Sequence, residues 1–122
     1  MAAGGAIVGG GVTACTFDGS LSKINGSAST VTGTTRTCTV PSGNSGVLQF
    51  DNVALVGAPA KEYSKNAGAF TAFVEDTQIT LVSTDTLAIR ITGANVNDEV
   101  QFDLTDTYTT TTIAHVTILR TS

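Results

Sequence analysis

The stretch from Thr86 to Leu104 constrains the fold of this chain more than any other part of it. Apolar and polar residues alternate on both sides of a break at Gly93–Asp98. Alternation with a period of two is typical of strands that bury one face and expose the other. The stretch therefore predicts two antiparallel β-strands. Their inward residues are Leu87, Ile89 and Ile91 before the break and Val100, Phe102 and Leu104 after it.

The composition extends this prediction to the whole chain. A chain of 122 residues is the size of one domain with one core. Thr is the commonest residue, and Thr and Val are branched at Cβ and favour strands. The 13 Gly residues supply turns and weaken helices. About eight to ten short strands, with no helical period, predict an all-β sandwich.

Turn residues divide the chain into candidate strands. Asp18–Gly19 and Asn25–Gly26 are typical of tight hairpin turns. Asp51–Asn52 shifts the alternation by one residue and predicts a bulge or bend. We predict strands at Val12–Phe17, Thr35–Val40, Val47–Phe50, Val53–Val56, Lys61–Lys65, Ala69–Val74, Gln78–Val82 and Thr111–Arg120, besides the two described above.

The N-terminus reads M-A-A-G-G-A-I-V-G-G-G. It has no basic segment and no long apolar run, so we expect neither a signal peptide nor a membrane helix there. We predict a flexible, Gly-rich arm over residues 1–11 and the sandwich over residues 12–122. The segment around Ala6, Ile7 and Val8 is either a floppy terminus or a short strand added to a neighbouring subunit.

The charge distribution argues against several partners. The formal net charge is −4, and the six basic residues are scattered along the chain. Because phosphate backbones and anionic membranes are bound by clustered cations, we expect neither nucleic acid nor membrane as a partner. Only 13% of the residues are charged. Contact between copies then requires little desolvation of charge, which favours a homo-oligomer.

Cys15 and Cys38 are the only cysteines, and both fall in predicted strands. They form a candidate disulfide, which in the chain-entropy model would contribute about 3 kcal/mol. The alternative is two buried free thiols that act as small apolar residues. Two thiols without further ligands do not make a structural zinc site.

Three strings in the second half of the chain carry a resemblance. They are Y-S-K-N-A-G-A-F at Tyr63–Phe70, T-D-T-L-A-I-R-I-T at Thr84–Thr92 and V-Q-F-D-L-T-D-T at Val100–Thr107. Together they resemble the immunoglobulin-like β-sandwich modules of bacteriophage virion proteins and bacterial surface proteins. The resemblance covers roughly Val47 to Ser122. It implies a structural or adhesive module, often multivalent, with no catalytic residues to carry over.

The residues offer little catalytic chemistry. His115 is the single histidine, and it falls on the outward face of its predicted strand. Asp103 and Asp106 lie nearby in the sequence, but Ser, Thr and Asp are so common in this chain that their presence does not indicate a Ser-His-Asp triad. A glycosidase needs a pair of carboxylates. The candidate acidic residues lie at predicted turns or strand edges, where solvated side chains are the simpler explanation; they are Glu62, Glu75, Asp76 and Glu99. We expect no enzyme activity.

We also expect no cofactor. Calcium is the most plausible ion, since oxygen ligands cluster at Asn95, Asn97, Asp98 and Glu99, with Asp51–Asn52 as further candidates. The spacing does not match an EF-hand, and turns use the same residue types for their own backbone hydrogen bonds.

Phe70 and Phe73 follow a Gly turn, and we consider them both as candidate interface residues and as core residues. Together these features favour a structural virion protein, such as a capsid decoration, head-fibre or tail component. It would assemble in the host cytoplasm with copies of itself or with other virion proteins. The alternative is an adhesion or carbohydrate-binding module, for which only Tyr63 and Tyr108 could provide stacking surfaces.

Overall fold

A computed structural model describes residues 15–41 and 44–122 of the chain. These residues form two β-sheets packed as a sandwich, so the predicted all-β class is confirmed. Among them, no helix has the length and apolar character needed to span a membrane. The strands are β1 (Thr16–Phe17), β2 (Lys23–Gly26), β3 (Val31–Thr32), β4 (Arg36–Thr39), β5 (Ser45–Val56), β6 (Ala60–Lys65), β7 (Thr71–Ala72), β8 (Gln78–Val82), β9 (Thr86–Thr92), β10 (Glu99–Asp106) and β11 (Thr111–Arg120).

The first sheet has the order β1-β4-β9-β6-β7, with β3 also pairing with β9. The second sheet has the order β2-β11-β10-β5-β8. All described pairs are antiparallel except β2 with β11, which run parallel. The inward residues of both sheets form one continuous apolar core.

The two strands predicted from Thr86 to Leu104 both form, but they lie in different sheets. β9 pairs with β3, β4 and β6, whereas β10 pairs with β5 and β11. The break at Gly93–Asp98 therefore carries the chain across the sandwich, and the two strands do not pair with each other. Left-handed backbone at Gly93 (φ 64°) and Asn97 (φ 72°) accompanies this crossing.

Three local predictions met different outcomes. The bulge at Asp51–Asn52 is confirmed, because the pairing of β5 with β10 shifts register there and Asn52 has φ 55°. Val47–Phe50 and Val53–Val56 consequently belong to one strand of 12 residues. The hairpin turn at Asn25–Gly26 is wrong, since both residues lie in β2, which pairs with β11.

Three phenylalanines join the sheets at the centre of the core. Phe50 stacks on Phe73 with ring centroids 4.1 Å apart. Phe102 lies 5.3 Å from Phe50 and meets Phe73 edge-on at 5.0 Å. Phe50 and Phe102 come from β5 and β10 of the second sheet, whereas Phe73 follows β7 of the first. We call Phe50, Phe73 and Phe102 the aromatic cluster.

The aromatic cluster corrects one sequence-based hypothesis. Phe73 was a candidate interface residue, but its exposed fraction is 1%. Its ring is covered by the other two members of the cluster, so it offers no surface to a partner. The competing interpretation, that Phe73 fills the core, is the one the structure supports.

We expect Phe102→Ala to lower the free energy of unfolding by about 3–5 kcal/mol, because it leaves a cavity between the sheets. Phe70→Ala provides the matched control, since Phe70 is only partly buried. Urea denaturation of both variants measures the difference. Equal losses for the two variants would contradict the central role of the aromatic cluster.

Candidate functional site

The most distinctive surface of the described residues is one side of β5. This strand is longer than its neighbour: β8 pairs with residues 45–49 of β5, whereas β10 pairs with residues 48–56 on the opposite side. Beyond Phe50, no described strand pairs with β5 on the β8 side. We call residues 52–56, on this side, the open edge.

Glu75 covers part of the open edge. One of its carboxylate oxygens accepts the backbone N–H of Asn52 at 3.0 Å, and the other accepts that of Val53 at 2.8 Å. The N–H of Val53 therefore points away from β10. Because the direction of backbone groups alternates along a strand, the N–H and C=O of Leu55 point outward as well.

The pairing of β10 gives the same result. The carbonyl of Asp98 accepts the N–H of Arg120, next to β11, at 3.0 Å. The following residue, Glu99, therefore directs its backbone groups towards β5, where it lies opposite Val56. Val56 bonds to β10, so its neighbour Leu55 faces outward. None of the described residues offers Leu55 a strand partner on that side.

The side chains of the open edge are apolar. Leu55 is 46% exposed and Val56 is 56% exposed. Val74, which directly precedes the capping residue Glu75, is 61% exposed. The sequence from residue 52 to residue 60, N-V-A-L-V-G-A-P-A, contains no charged residue. Exposed apolar side chains beside unpaired backbone groups are typical of a surface that binds another strand.

Most of the other described strand edges are short or capped, and the exception is residues 111–116 of β11, which lie beyond its pairing with β2 and read T-T-I-A-H-V. β1 and β7 have two residues each, and β2 has four. On β8, Lys65 Nζ donates to the carbonyl of Thr80 at 2.9 Å. The N–H of Val82 donates to Asp85 Oδ2 at 2.9 Å. Charged groups of this kind protect edges from pairing. Of the described residues, Glu75 is the one charged residue that caps the open edge.

Acidic residues next to the open edge form a cluster that sequence reasoning did not assemble. Carboxylate oxygens of Asp51, Glu75 and Asp76 lie within 4.8 Å of one another. Gln49 Nε2 donates to Asp51 at 2.8 Å and to Asp76 at 3.1 Å. Since Glu75 holds the backbone at the bulge, protein donors contact all three carboxylates. The cluster shapes the bend in β5.

The other two acidic residues considered for a glycosidase lie apart from this cluster in the sheets. Glu62 forms an ion pair with Arg90 within the first sheet, at 2.8 Å. Glu99 accepts a hydrogen bond from Gln101 Nε2 at 3.0 Å within β10. Both carboxylates are engaged by neighbouring side chains of the same sheet.

The loop considered for calcium is organised by Asp98, which is 8% exposed. Its Oδ2 accepts the N–H of Asn95 at 2.9 Å, and this bond closes the turn before β10. Gly57 has φ 78°, and a Cβ atom there would lie 2.0 Å from Asp98 Oδ1. The glycine thus lets the buried carboxylate pack against the end of β5.

His115 and Asp103 face each other across β10 and β11 and are hydrogen-bonded at 2.5 Å through Nδ1 and Oδ1. Asn52 Nδ2 donates to the other oxygen of Asp103 at 2.8 Å. These two hydrogen bonds hold the pKa of Asp103 below its usual range, with the bond to His115 the larger cause. The imidazole side chain is 61% exposed. Among the described residues, no hydroxyl or thiol is hydrogen-bonded to it.

Cys15 and Cys38 are both buried, and the structure holds them as free thiols. Cys38 lies opposite Phe17. Cys15, two residues before Phe17, therefore shares its face of the sheet. Burial is the main cause that raises the pKa of Cys15 to about 12, and a hydrogen bond with Cys38 adds to it. Burial also raises the pKa of Cys38.

Two of the three strings that carry the resemblance, Tyr63–Phe70 and Thr84–Thr92, contact each other in the first sheet. Asn66, in the turn after β6, donates through Nδ2 to Asp85 and accepts the N–H of Thr86, both at 2.9 Å. The guanidinium of Arg90 lies 3.8 Å from the centroid of the Phe70 ring. These contacts hold the β6–β7 turn against β9. The guanidinium of Arg90 also covers part of the Phe70 ring.

Sequence reasoning missed the residues of the open edge. Ala54, Leu55 and Val56 are three consecutive apolar residues, whereas a strand with one wet face alternates. That break in the pattern was the available signal. The other candidate interface, at Ala6, Ile7 and Val8, lies outside the described residues.

We expect the free energy of unfolding to decrease as the pH falls below about 4, and Asp103→Asn to weaken that decrease. The unfolded carboxyl takes up its proton at the ordinary pKa of 3.8, before the folded one does. The stabilisation is therefore complete above pH 3.8 and is lost as the pH falls through the lower pKa of the folded protein. Urea denaturation across the acid range measures this slope.

Asp85 serves as a second probe, because hydrogen bonds from Val82 and Asn66 lower its pKa too. Asp85→Asn is expected to weaken the acid slope, and the double variant to weaken it further. If the free energy of unfolding of Asp103→Asn falls with pH as steeply as that of the unsubstituted protein, the hydrogen bonds to His115 and Asn52 do not lower the pKa of Asp103.

We expect native protein at pH 8 to resist alkylation of both cysteines by iodoacetamide, because burial keeps both thiols protonated. In denaturant without reductant, both should react, as mass spectrometry would show. Rapid labelling of the native protein would contradict the burial of the thiols. Failure to label the denatured protein before reduction would show instead that Cys15 and Cys38 are joined.

Comparison of the chain with protein-family models, with curated proteins and with solved structures finds no match. The resemblance to immunoglobulin-like modules therefore stays a prediction from the sequence strings. Among the described surfaces, the open edge is the one that combines large exposed apolar side chains with unpaired backbone groups.

Proposed function

We propose that this protein is a structural component that acts through contacts with other proteins. The observation that carries the proposal is the open edge, where an uncharged stretch of strand presents outward backbone groups beside Leu55 and Val56. Water can satisfy those backbone groups, whereas a partner is needed to bury the exposed apolar surface beside them. An extended strand of another chain satisfies both requirements at once.

The low charge of the chain supports this proposal. With 13% charged residues, close contact with neighbouring subunits desolvates few ions. The buried residues of the sandwich are almost all apolar, and the buried polar ones are Ser64, Asp98 and Asp106. Asp106 accepts two hydrogen bonds from Thr109, at 3.0 Å from N and 2.5 Å from Oγ1, which shape the β10–β11 turn.

The finer proposal is a virion protein, such as a capsid decoration, head-fibre or tail component. It rests on the resemblance of this chain to the immunoglobulin-like modules of bacteriophage virion proteins. Two of the strings that carry this resemblance hold the β6–β7 turn against β9. Such a protein would assemble in the host cytoplasm with copies of itself or with other virion proteins. A sandwich with an open strand edge can pair through that edge with a strand of another protein.

We expect the protein to sediment with intact virus particles released from cells that carry its gene. Density-gradient fractions would be digested and analysed by mass spectrometry for peptides of this chain. Particles from a strain with the gene deleted provide the control. Peptides confined to the light, soluble fractions would contradict the virion proposal.

An adhesion or carbohydrate-binding module is the second candidate, favoured by one observation. Tyr108 is 65% exposed in the turn between β10 and β11, where its ring is available for stacking on a sugar. Tyr63 is less suited, because it packs against the core with its ring 5.7 Å from that of Phe50. A glycan array probed with the unsubstituted protein and with Tyr108→Ala separates this candidate from the first. Equal signals for both proteins would exclude a role for Tyr108.

A further inference from the structure

We infer that the open edge of β5 binds the open edge of a second copy of this chain, so that the two β5 strands pair antiparallel about a twofold axis. This inference rests on the proposed function and names the surface and the partner. The partner is a second copy because the geometry of the edge is complementary to itself in one register.

Glu75 selects that register. A ladder centred on Ala54 would place Leu55 opposite Val53 and would need the N–H of Val53, which Glu75 already holds at 2.8 Å. A ladder centred on Leu55 needs only the outward N–H and C=O of Leu55. In an antiparallel ladder, two residues that face each other directly exchange both hydrogen bonds. The two copies of Leu55 can do this without displacing Glu75.

The charges allow the same register. In a ladder centred on Leu55, Val53 of one copy lies opposite Gly57 of the other, which directly follows the end of β5. The two copies of Val53, where Glu75 binds the backbone, are then about four residues apart along the ladder, roughly 14 Å at ~3.4 Å per residue. That separation exceeds the screening length of about 8 Å at physiological salt. The two acidic clusters therefore lie at opposite ends of the shared ladder, and the centre is uncharged.

The side chains supply the apolar contact. In this register Val56 of one copy lies opposite Ala54 of the other, so a large exposed residue meets a small one on the same face. The two Leu55 side chains lie on the other face, at the twofold axis. Cross-strand apolar pairs of this kind stabilise a ladder. Pairing would also cover part of the side chains of Leu55 and Val56, which are 46% and 56% exposed.

The first test is light scattering across a dilution series. We expect the unsubstituted protein to double in mass as its concentration rises and Leu55→Lys to remain monomeric. Val82→Lys is the matched control, since Val82 is 47% exposed on the edge strand β8; it should dimerise like the unsubstituted protein. Circular dichroism would check that both variants are folded.

The second test needs no substitution. Hydrogen exchange followed by nuclear magnetic resonance should show the amide of Leu55 exchanging fast in dilute protein and more slowly as dimer forms. The amide of Ala54 faces β10 and should be protected at every concentration. This measurement decides the question even where Leu55→Lys fails to fold.

Three results would overturn the inference. The first is a monomer at all concentrations. The second is a dimer in which Leu55 still exchanges fast, which would place the contact on another surface and leave the proposed function standing. The third is protection of Leu55 at a concentration where light scattering shows a monomer, which would mean that the same chain covers the edge. The particle experiment tests the proposed function independently, so the two can fail separately.

Discussion

The stacking of Phe73 on Phe50 is the interaction on which the rest of the sandwich depends. Phe73 comes from the first sheet and Phe50 from the second, and their ring centroids are 4.1 Å apart. A core without Trp has few large side chains to span two sheets, which pack about 10 Å apart. The aromatic cluster fills this gap at one place, and smaller aliphatic residues fill the remainder.

This stacking also explains why the open edge exists. The segment after Phe73 leads to β8 and passes β5 at Phe50, whose N–H donates to Thr77 and whose carbonyl accepts the N–H of Asp76. From there the chain runs along residues 45–49 of β5 as β8, away from the open edge. Within residues 15–41 and 44–122, Glu75 is the residue that caps the other half of β5 on this side. The route that buries Phe73 thus leaves residues 52–56 without a strand from the described part of the chain on this side.

The sequence predicts the strands better than it predicts their partners. The alternation of apolar and polar residues indicates which face of a strand is buried. It also predicts a strand at Gln78–Val82, which are the observed ends of β8. It does not report which strand lies alongside, so β9 and β10 looked like one pair although they belong to different sheets. Asn25–Gly26 shows a related limit. A turn-forming dipeptide is read locally, but its backbone here is fixed by pairing with β11, which follows about ninety residues later.

The open edge could not be derived from local sequence, because it depends on the difference in length between β5 and β8. The run Ala54–Val56 signals only that both faces of β5 are apolar there. Unprotected edges of this kind invite uncontrolled association. A twofold pair of β5 strands closes both open edges at once, whereas a head-to-tail contact leaves an edge free at each end and propagates. The placement of Glu75, which leaves Leu55 as the free centre of the edge, favours the closed arrangement.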